Sequence, residues 1–211
     1  MTRGEEVFTI LQSKARSTAS RTGGPAPTQE YLVRHLLESF LDRLVRSEHG
    51  DDFVLKGGIL LAAYGVRRPT KDIDANAINA DVTPEHLTFV VTQLAEVPSD
   101  DGVTFAPFAE NTFWRNVDYA MSDDFPTVNT DFECRADGWE CEANLDVSLN
   151  LDIAHPHPFT FATPIDRFTM PLTTPLHYQI AWKLHQTIVR PRFKDLYDLS
   201  RLAPAIGSLK A

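Results

Sequence analysis

Apolar residues recur at helical spacing in the first quarter of the chain. The stretch 28–48 carries one apolar stripe, and its members are Leu32, Leu36, Phe40 and Leu44. This spacing predicts an amphipathic helix, and residues 5–20 predict another before it. Residues 23–27, Gly-Gly-Pro-Ala-Pro, are typical of a joint between helices. Thr28 fits the N-cap of the second helix and Gly50 fits its stop.

From residue 53 the pattern changes to short apolar runs and alternation. Residues 53–55 predict a short buried strand that the Gly57-Gly58 pair interrupts, and a short helix follows and ends at Gly65. Residues 71–78, Lys-Asp-Ile-Asp-Ala-Asn-Ala-Ile, alternate polar and apolar and therefore predict a strand. The next stretch, 83–97, predicts a helix with Thr83 as its cap and a proline in the first turn. Residues 102–108 indicate a weak strand, and 108–126 show no clear pattern.

The clearest hairpin signal lies between residues 127 and 153. Asp137-Gly138 is the kind of dipeptide that forms a two-residue turn between strands. If the loop is those two residues, Cys134 faces Cys141 and Asn129 faces Asp146. We expect both cysteines to be reduced, because disulfides are rare in the cytosol.

The last third of the chain predicts a loop followed by two helices. The loop covers residues 155–164 and begins with the run His-Pro-His-Pro. The helices cover 173–189 and 192–203, and Pro191 separates them. We expect the second helix to bury the edge formed by Leu196, Leu199 and Leu202. The predicted fold is a mixed α/β core over 51–165, with an N-terminal helical arm over 1–50 and a C-terminal helical subdomain over 166–211.

Charge is distributed unevenly in this acidic chain. The formal net charge of −9 argues against a general nucleic-acid coat. Residues 96–152 hold most of the excess acid, whereas basic residues gather at 67–71 and 183–194. A local anion site is therefore compatible with the acidic total. No apolar run approaches the length of a membrane span and no signal-peptide core is present, so we expect a cytoplasmic protein.

Three carboxylates fall on the polar faces of the predicted strands. Alternate side chains share a face of a strand, so Asp72 and Asp74 point together, away from Ile73. Asp146 lies likewise on the polar face of its strand. If the two strands are neighbours, the three acids converge and repel one another unless a cation neutralises them. Oxygen ligands of this kind suit Mg²⁺, which also accepts substrate phosphates as ligands. Gly57 and Gly58 would let backbone N–H groups approach such a phosphate.

Other readings of these residues remain open. Lys56 is either a phosphate ligand or a cation at the end of a strand. Lys183 could be a surface cation, and Asp195 could be an acid that stabilises the first turn of a helix. The histidine run lacks a third ligand at zinc spacing.

Two blocks of the sequence together resemble a known family. The first contains Arg68, Thr70, Asp72 and Asp74 after the glycine pair, and the second contains Lys183 followed by Arg192, Lys194, Asp195 and Asp198. The order of the first block resembles the nucleotidyltransferase superfamily with the polymerase-beta-like fold. Both blocks together resemble the AbiEii-type nucleotidyltransferase toxins of type IV toxin–antitoxin systems, which include the MenT toxins. The resemblance covers roughly a quarter of the chain.

The resemblance implies a function and roles for these residues. It implies an Mg²⁺-dependent enzyme, with Mn²⁺ as an alternative, that transfers a nucleoside monophosphate from an NTP to the 3′ end of tRNA and so blocks aminoacylation. Asp72, Asp74 and Asp146 would hold the metal ion. Lys183 would contact the NTP phosphates, and either Asp146 or Asp195 would be the base. Gly57, Gly58, Lys56, Arg68 and Thr70 are expected to line the nucleotide site.

The resemblance also implies a cognate antitoxin, which would act by occluding the site or by phosphorylating Thr70. A phosphate at this position would add negative charge beside the metal carboxylates. Two other functions remain: a nucleotidyltransferase that modifies small molecules such as antibiotics, and a nucleotide-binding protein without catalytic activity. Lys183 and Asp195 are too far apart to meet along one straight helix, so the site requires the chain to fold back at Pro191.

Overall fold

Two helices open the chain in this computed structural model, which describes residues 1–66, 69–78, 83–105, 113–117, 127–136, 139–149 and 151–208. Helix α1 spans Arg3–Thr22 and α2 spans Thr28–Arg46. The predicted apolar stripe of α2 is buried throughout. The predicted N-cap is wrong: Thr28 is the first helical residue, and Pro27 before it has no side chain that could cap the helix. The predicted stop is also wrong, since α2 ends before Gly50.

The next elements form the α/β part of the fold as the pattern predicted. They are β1 (Phe53–Lys56), α3 (Gly57–Ala63), β2 (Asp72–Ala77) and α4 (Pro84–Glu96). Thr83 caps α4, because its hydroxyl accepts a hydrogen bond from the backbone N–H of His86.

The predicted hairpin is present with the predicted register. Strands β3 (Val103–Phe105) and β4 (Phe113–Val117) both pair with β5 (Thr127–Ala136), which in turn pairs with β6 (Trp139–Ser148). Across β5 and β6, Cys134 faces Cys141 and Asn129 faces Asp146. Cys141 is a free thiol, as expected. The turn residues Asp137 and Gly138 lie outside the described residues. Strand β4 occupies part of the segment that showed no sequence pattern.

The loop prediction for residues 155–164 is wrong, because a second hairpin begins there. Strands β7 (His157–Ala162) and β8 (Arg167–Thr173) pair antiparallel. Phe161 and Met170 are buried in the core, so the alternation of a half-buried sheet is present. Prolines and histidines within the run masked this signal. A backbone hydrogen bond from Thr163 N–H to the carbonyl of Asp166 closes the turn.

The strands of the described residues form one mixed sheet with two different faces. Its order is β3-β5-β6-β2-β1-β8-β7, with β4 also paired to β5. Residues of α2 and α4 join the apolar side chains of β2 and β6 in one core, as Phe40, Leu94, Ile73 and Leu145 illustrate. The polar side chains of β2 and β6 point to the other face, which is where the site lies.

A helical hairpin follows β8 and lies over the polar face. Helix α5 spans Leu176–Val189 and α6 spans Phe193–Ser208. The predicted buried edge of α6 is only partly correct: Leu202 is buried, but Leu196 is exposed. Asp195 and Asp198 are buried instead, because they face Lys183 of α5.

Two further expectations from the sequence concern membrane spans and the division of the chain into domains. No helix in the described part of the chain is both long and apolar enough to cross a membrane. The division into an arm, a core and a C-terminal subdomain stays a prediction.

Candidate active site

The sheet brings the predicted carboxylates onto adjacent strands. Strands β2 and β6 are parallel neighbours, and their register places Asp74 beside Asp146 and Asp72 beside Asn144. Because side chains alternate along each strand, the carboxylates project from the face opposite Ile73 and Leu145. The condition that the sequence argument set for convergence, neighbouring strands, is therefore met.

Asp146 sits in an environment short of positive charge. Its pKa is raised to about 6, mainly by burial and also by the charges of Asp74 and Asp72. A hydrogen bond from the side-chain amide of Asn129 and the charge of Lys56 act in the opposite direction without cancelling this effect. The carboxyl cluster would therefore gain from a bound cation.

The start of α3 packs directly against Asp74. Lys56 lies opposite Asp74 in the antiparallel pairing of β1 and β2, and its ammonium donates to Ser148 Oγ at 3.0 Å. Gly57 has a φ of 73°, in the left-handed region that favours glycine. A Cβ on Gly57 would lie 2.6 Å from the Cβ of Asp74. Glycine is therefore required here for the chain to pass Asp74.

The carboxylate-bearing face of the sheet forms one wall of the site, which we call the acidic wall. The α5–α6 hairpin forms the opposite wall, which we call the basic wall. The chain reverses around Pro191, and Lys183 Nζ donates to Asp195 Oδ1 at 3.1 Å. The same ammonium lies 2.7 Å from Asp198 Oδ2. Arg192 Nε donates to Asp195 Oδ2 at 2.6 Å. The predicted fold-back at Pro191 is confirmed.

Asp195 is held in its ionised form by this network. Burial works to raise its pKa, but the hydrogen bonds from Arg192 and Lys183 outweigh burial, and the pKa lies below its ordinary value. Asp198 is completely buried and contacts Lys183.

Both walls enclose one cleft of about 210 Å³. Eight residues predicted for the site line it: Lys56, Gly57, Gly58, Asp72, Asp74, Asp146, Lys183 and Asp195. Thr70 lies just before β2 and is not among the residues that line the cleft; its hydroxyl accepts a hydrogen bond from the N–H of Asp72 at 3.4 Å. Arg68 lies outside the described residues.

The structure adds polar and aromatic residues to the cleft that sequence reasoning did not assign. Gln179, Trp182 and Gln186 line it on α5, while Arg192 and Lys194 line it beyond Pro191. The three α5 residues lie four before, one before and three after Lys183, so they share its helical face. Residues 179, 182, 183 and 186 thus follow the i, i+3, i+4, i+7 spacing of one helical face, and this spacing was the signal in the sequence that could have identified them.

The carboxylates suit a divalent cation that also binds other ligands. In the described part of the chain, no three His, Cys, Asp or Glu side chains are arranged closely enough to hold a metal ion by themselves. Mg²⁺ does not require such a cage, since it commonly uses one or two carboxylates together with water and substrate phosphates. The oxygen-only donors at Asp72 and Asp74 fit this kind of open site.

The site thus consists of a mixed sheet with paired carboxylates opposite a cation-bearing helical hairpin. The family model described as "Nucleotidyl transferase AbiEii toxin, Type IV TA system" matches residues 39–210. The chain therefore belongs to the AbiEii nucleotidyltransferase toxin family.

Solved structures with a similar fold come from Helicobacter pylori. JHP933 has a TM-score of 0.53 and 17% identity, and the match covers 83% of this chain and 66% of that one. A second protein, described as a proposed nucleotidyltransferase, has a TM-score of 0.55 and 16% identity, with 83% and 68% covered. This chain thus spans about two thirds of the length of these proteins. The comparison with curated proteins gave no match.

Proposed function

We propose that this chain transfers a nucleoside monophosphate from an NTP to the 3′ end of tRNA and thereby blocks aminoacylation and translation. The observation that carries the proposal is the register of β2 and β6, which sets Asp74 beside Asp146 across the cleft from Lys183. Acidic and basic walls facing each other suit a substrate that carries phosphates and a metal ion together. Membership of the AbiEii family supports the nucleotidyl transfer, and the tRNA acceptor is our proposal from the sequence resemblance.

The acidic wall is proposed to hold the metal ion. Asp72 and Asp74 would bind Mg²⁺, or Mn²⁺ in its place, with Asp146 beside them. When bound, the ion would neutralise the triphosphate and the charge that develops during transfer. Gly57 and Gly58 would offer backbone N–H groups to the same phosphates, and Lys56 would add positive charge.

The basic wall is proposed to hold the triphosphate. The ammonium of Lys183 has three N–H donors, of which two point to Asp195 and Asp198. The third donor would bind a phosphate oxygen, and the two carboxylates would fix the direction of the side chain. Arg68 and Thr70 complete the predicted nucleotide contacts.

The base that accepts the proton of the attacking hydroxyl is proposed to be Asp146. Both oxygens of Asp195 already accept hydrogen bonds, one from Lys183 and one from Arg192. Asp195 is therefore better suited to positioning Lys183 than to accepting a proton. Asp146 lies beside the metal-site acids and makes no such ion pair with Lys183 or Arg192 among the described contacts.

A cognate antitoxin is proposed as the physiological partner, because the family description places these enzymes in type IV toxin–antitoxin systems. The antitoxin would act by occluding the cleft or by phosphorylating Thr70. The tRNA acceptor end is the proposed target, and a small-molecule acceptor is the alternative with the same site chemistry.

The test incubates the protein with each labelled NTP, Mg²⁺ or Mn²⁺, and either total RNA or a panel of aminoglycosides. We expect label in the tRNA band, at its 3′ end, and none with the Asp72→Ala variant. Label on an aminoglycoside alone would favour the small-molecule enzyme. Binding of NTP without transfer to either acceptor would refute the catalytic proposal.

A further inference from the structure

One buried amide in the cleft has no partner within the protein. Gln179 lies on α5, one turn before Lys183, and its side chain is 2% exposed. Neither Oε1 nor Nε2 of its carboxamide has a hydrogen-bond partner among the described residues. The same side chain lines the cleft with Asp72, Asp74 and Lys183.

An unpaired amide at this position works against stability. Buried polar groups of folded proteins are nearly always hydrogen-bonded, because desolvation without a partner is costly. An apolar side chain of similar shape would avoid that cost. The amide therefore points to a ligand in the cleft as its partner.

The chemistry of the amide narrows the choice of ligand. A carboxamide presents one acceptor oxygen and one donor nitrogen side by side. Phosphate oxygens are acceptors only, so they could satisfy Nε2 but would leave Oε1 unpaired. The base edges and the ribose hydroxyls of a nucleoside offer a donor next to an acceptor. Trp182 lines the same cleft on the same face of α5 and offers a surface on which a base could stack.

We propose that Gln179 recognises the nucleoside part of the incoming nucleotide, its carboxamide pairing with a donor and acceptor of the base or the ribose, and so selects the substrate either by its base or by its ribose hydroxyls. This inference rests on the proposed nucleotidyl transfer and adds to it a residue that selects the substrate. Lys183 would hold the phosphates one helical turn away from the group that Gln179 reads.

The test replaces Gln179 with methionine, which keeps the unbranched shape and removes both hydrogen-bonding groups. His185→Ala is the matched control, since His185 is exposed on the same helix and does not line the cleft. Transfer to tRNA is measured with the four NTPs, and with the 2′-deoxy and 3′-deoxy forms of the preferred one. Thermal unfolding of each variant is followed in parallel, without nucleotide.

We expect Gln179→Met to raise the KM of the preferred NTP roughly tenfold, with kcat changed much less, since a binding contact is lost. Preference among the four NTPs should weaken if the amide reads the base. The penalty for a deoxy analogue should disappear if it reads the ribose. The melting temperature should equal or exceed that of the wild type, by about 2–4 °C where the cost of the unpaired amide is recovered.

Two outcomes would overturn the inference while the proposed function stands. One is a wild-type enzyme that transfers nucleotide and a Gln179→Met variant with the same KM for every NTP. The other is a variant with lowered stability and a uniform loss of activity, which would make Gln179 a structural residue. A wild-type protein that neither binds nor transfers any NTP would instead refute the proposed function, and the inference with it.

Discussion

Removal of the Lys183 ammonium should affect stability and catalysis by separable amounts. The side chain is 13% exposed, and its two carboxylate partners, Asp195 and Asp198, are 1% and 0% exposed. Loss of one partner of a buried ion pair costs about 3–5 kcal/mol. Asp195 keeps its bond from Arg192 at 2.6 Å, so we expect Lys183→Ala to lose about 3 kcal/mol, the lower end of that range. A domain with about 5–15 kcal/mol of stability remains folded after such a loss.

The catalytic effect should be additional to this loss of stability. If Lys183 stabilises charge on the triphosphate in the transition state, its removal should lower the rate by about 10²–10³-fold. Urea unfolding would give the free energy of unfolding, and labelled NTP transfer to tRNA would give the rate. Both would be measured at a temperature where the variant is folded.

The double variant Lys183→Ala, Asp198→Asn separates the two effects. Removal of the buried charge of Asp198 should restore a large part of the lost stability, whereas the rate should stay low because no ammonium reaches the phosphates. A double variant that regains wild-type transfer would refute the reasoning, and Lys183 would then be a structural cation. An unchanged rate in the single variant would refute it equally.

Three further predictions concern other polar positions. Asp72→Ala or Asp74→Ala should abolish transfer while the melting temperature stays equal or rises, because a member of a repelling cluster is lost; wild-type turnover would contradict the site assignment. Thr70→Glu should be inactive and Thr70→Ser active, since glutamate adds charge beside Asp72 and serine keeps the hydroxyl; equal transfer rates would remove this position from regulation. Asp101→Asn should cost about 3 kcal/mol at pH 7, since it leaves Arg43 buried beside a neutral group. Burial works to raise the pKa of Asp101, but bonds from Ser39, Arg43 and the N–H of Val103 outweigh it, and the pKa is lowered below its ordinary value. The stability difference from wild type should therefore be full above the ordinary pKa of an aspartate and shrink as the pH falls through the lower pKa of folded Asp101. Urea unfolding measures this difference. A difference that grows on acidification would be inconsistent with this pairing.

Local patterns predicted many of the elements, and they failed where polar residues obscured the period. The helical stripe of α2 and the hairpin register of β5 and β6 followed directly from spacing and turn chemistry. The strand β7 was missed because proline and histidine fall within its alternation. The buried edge of α6 was misassigned because apolar residues were expected to face inward, whereas Asp195 and Asp198 are drawn inward by Lys183.

The sequence by itself determined which residue types the candidate site carries, because residue type and strand parity depend only on local order. It placed Asp72 and Asp74 on one face, identified glycine at position 57 and required a reversal at Pro191. Only the tertiary structure decided that β6 lies parallel to β2, that Lys183 contacts two buried carboxylates, and that Gln179 lines the cleft with an unpaired amide. These contacts depend on which strands and helices pack together. Burial of the whole hydrophobic core selects that arrangement, and no short stretch of sequence contains the information by itself.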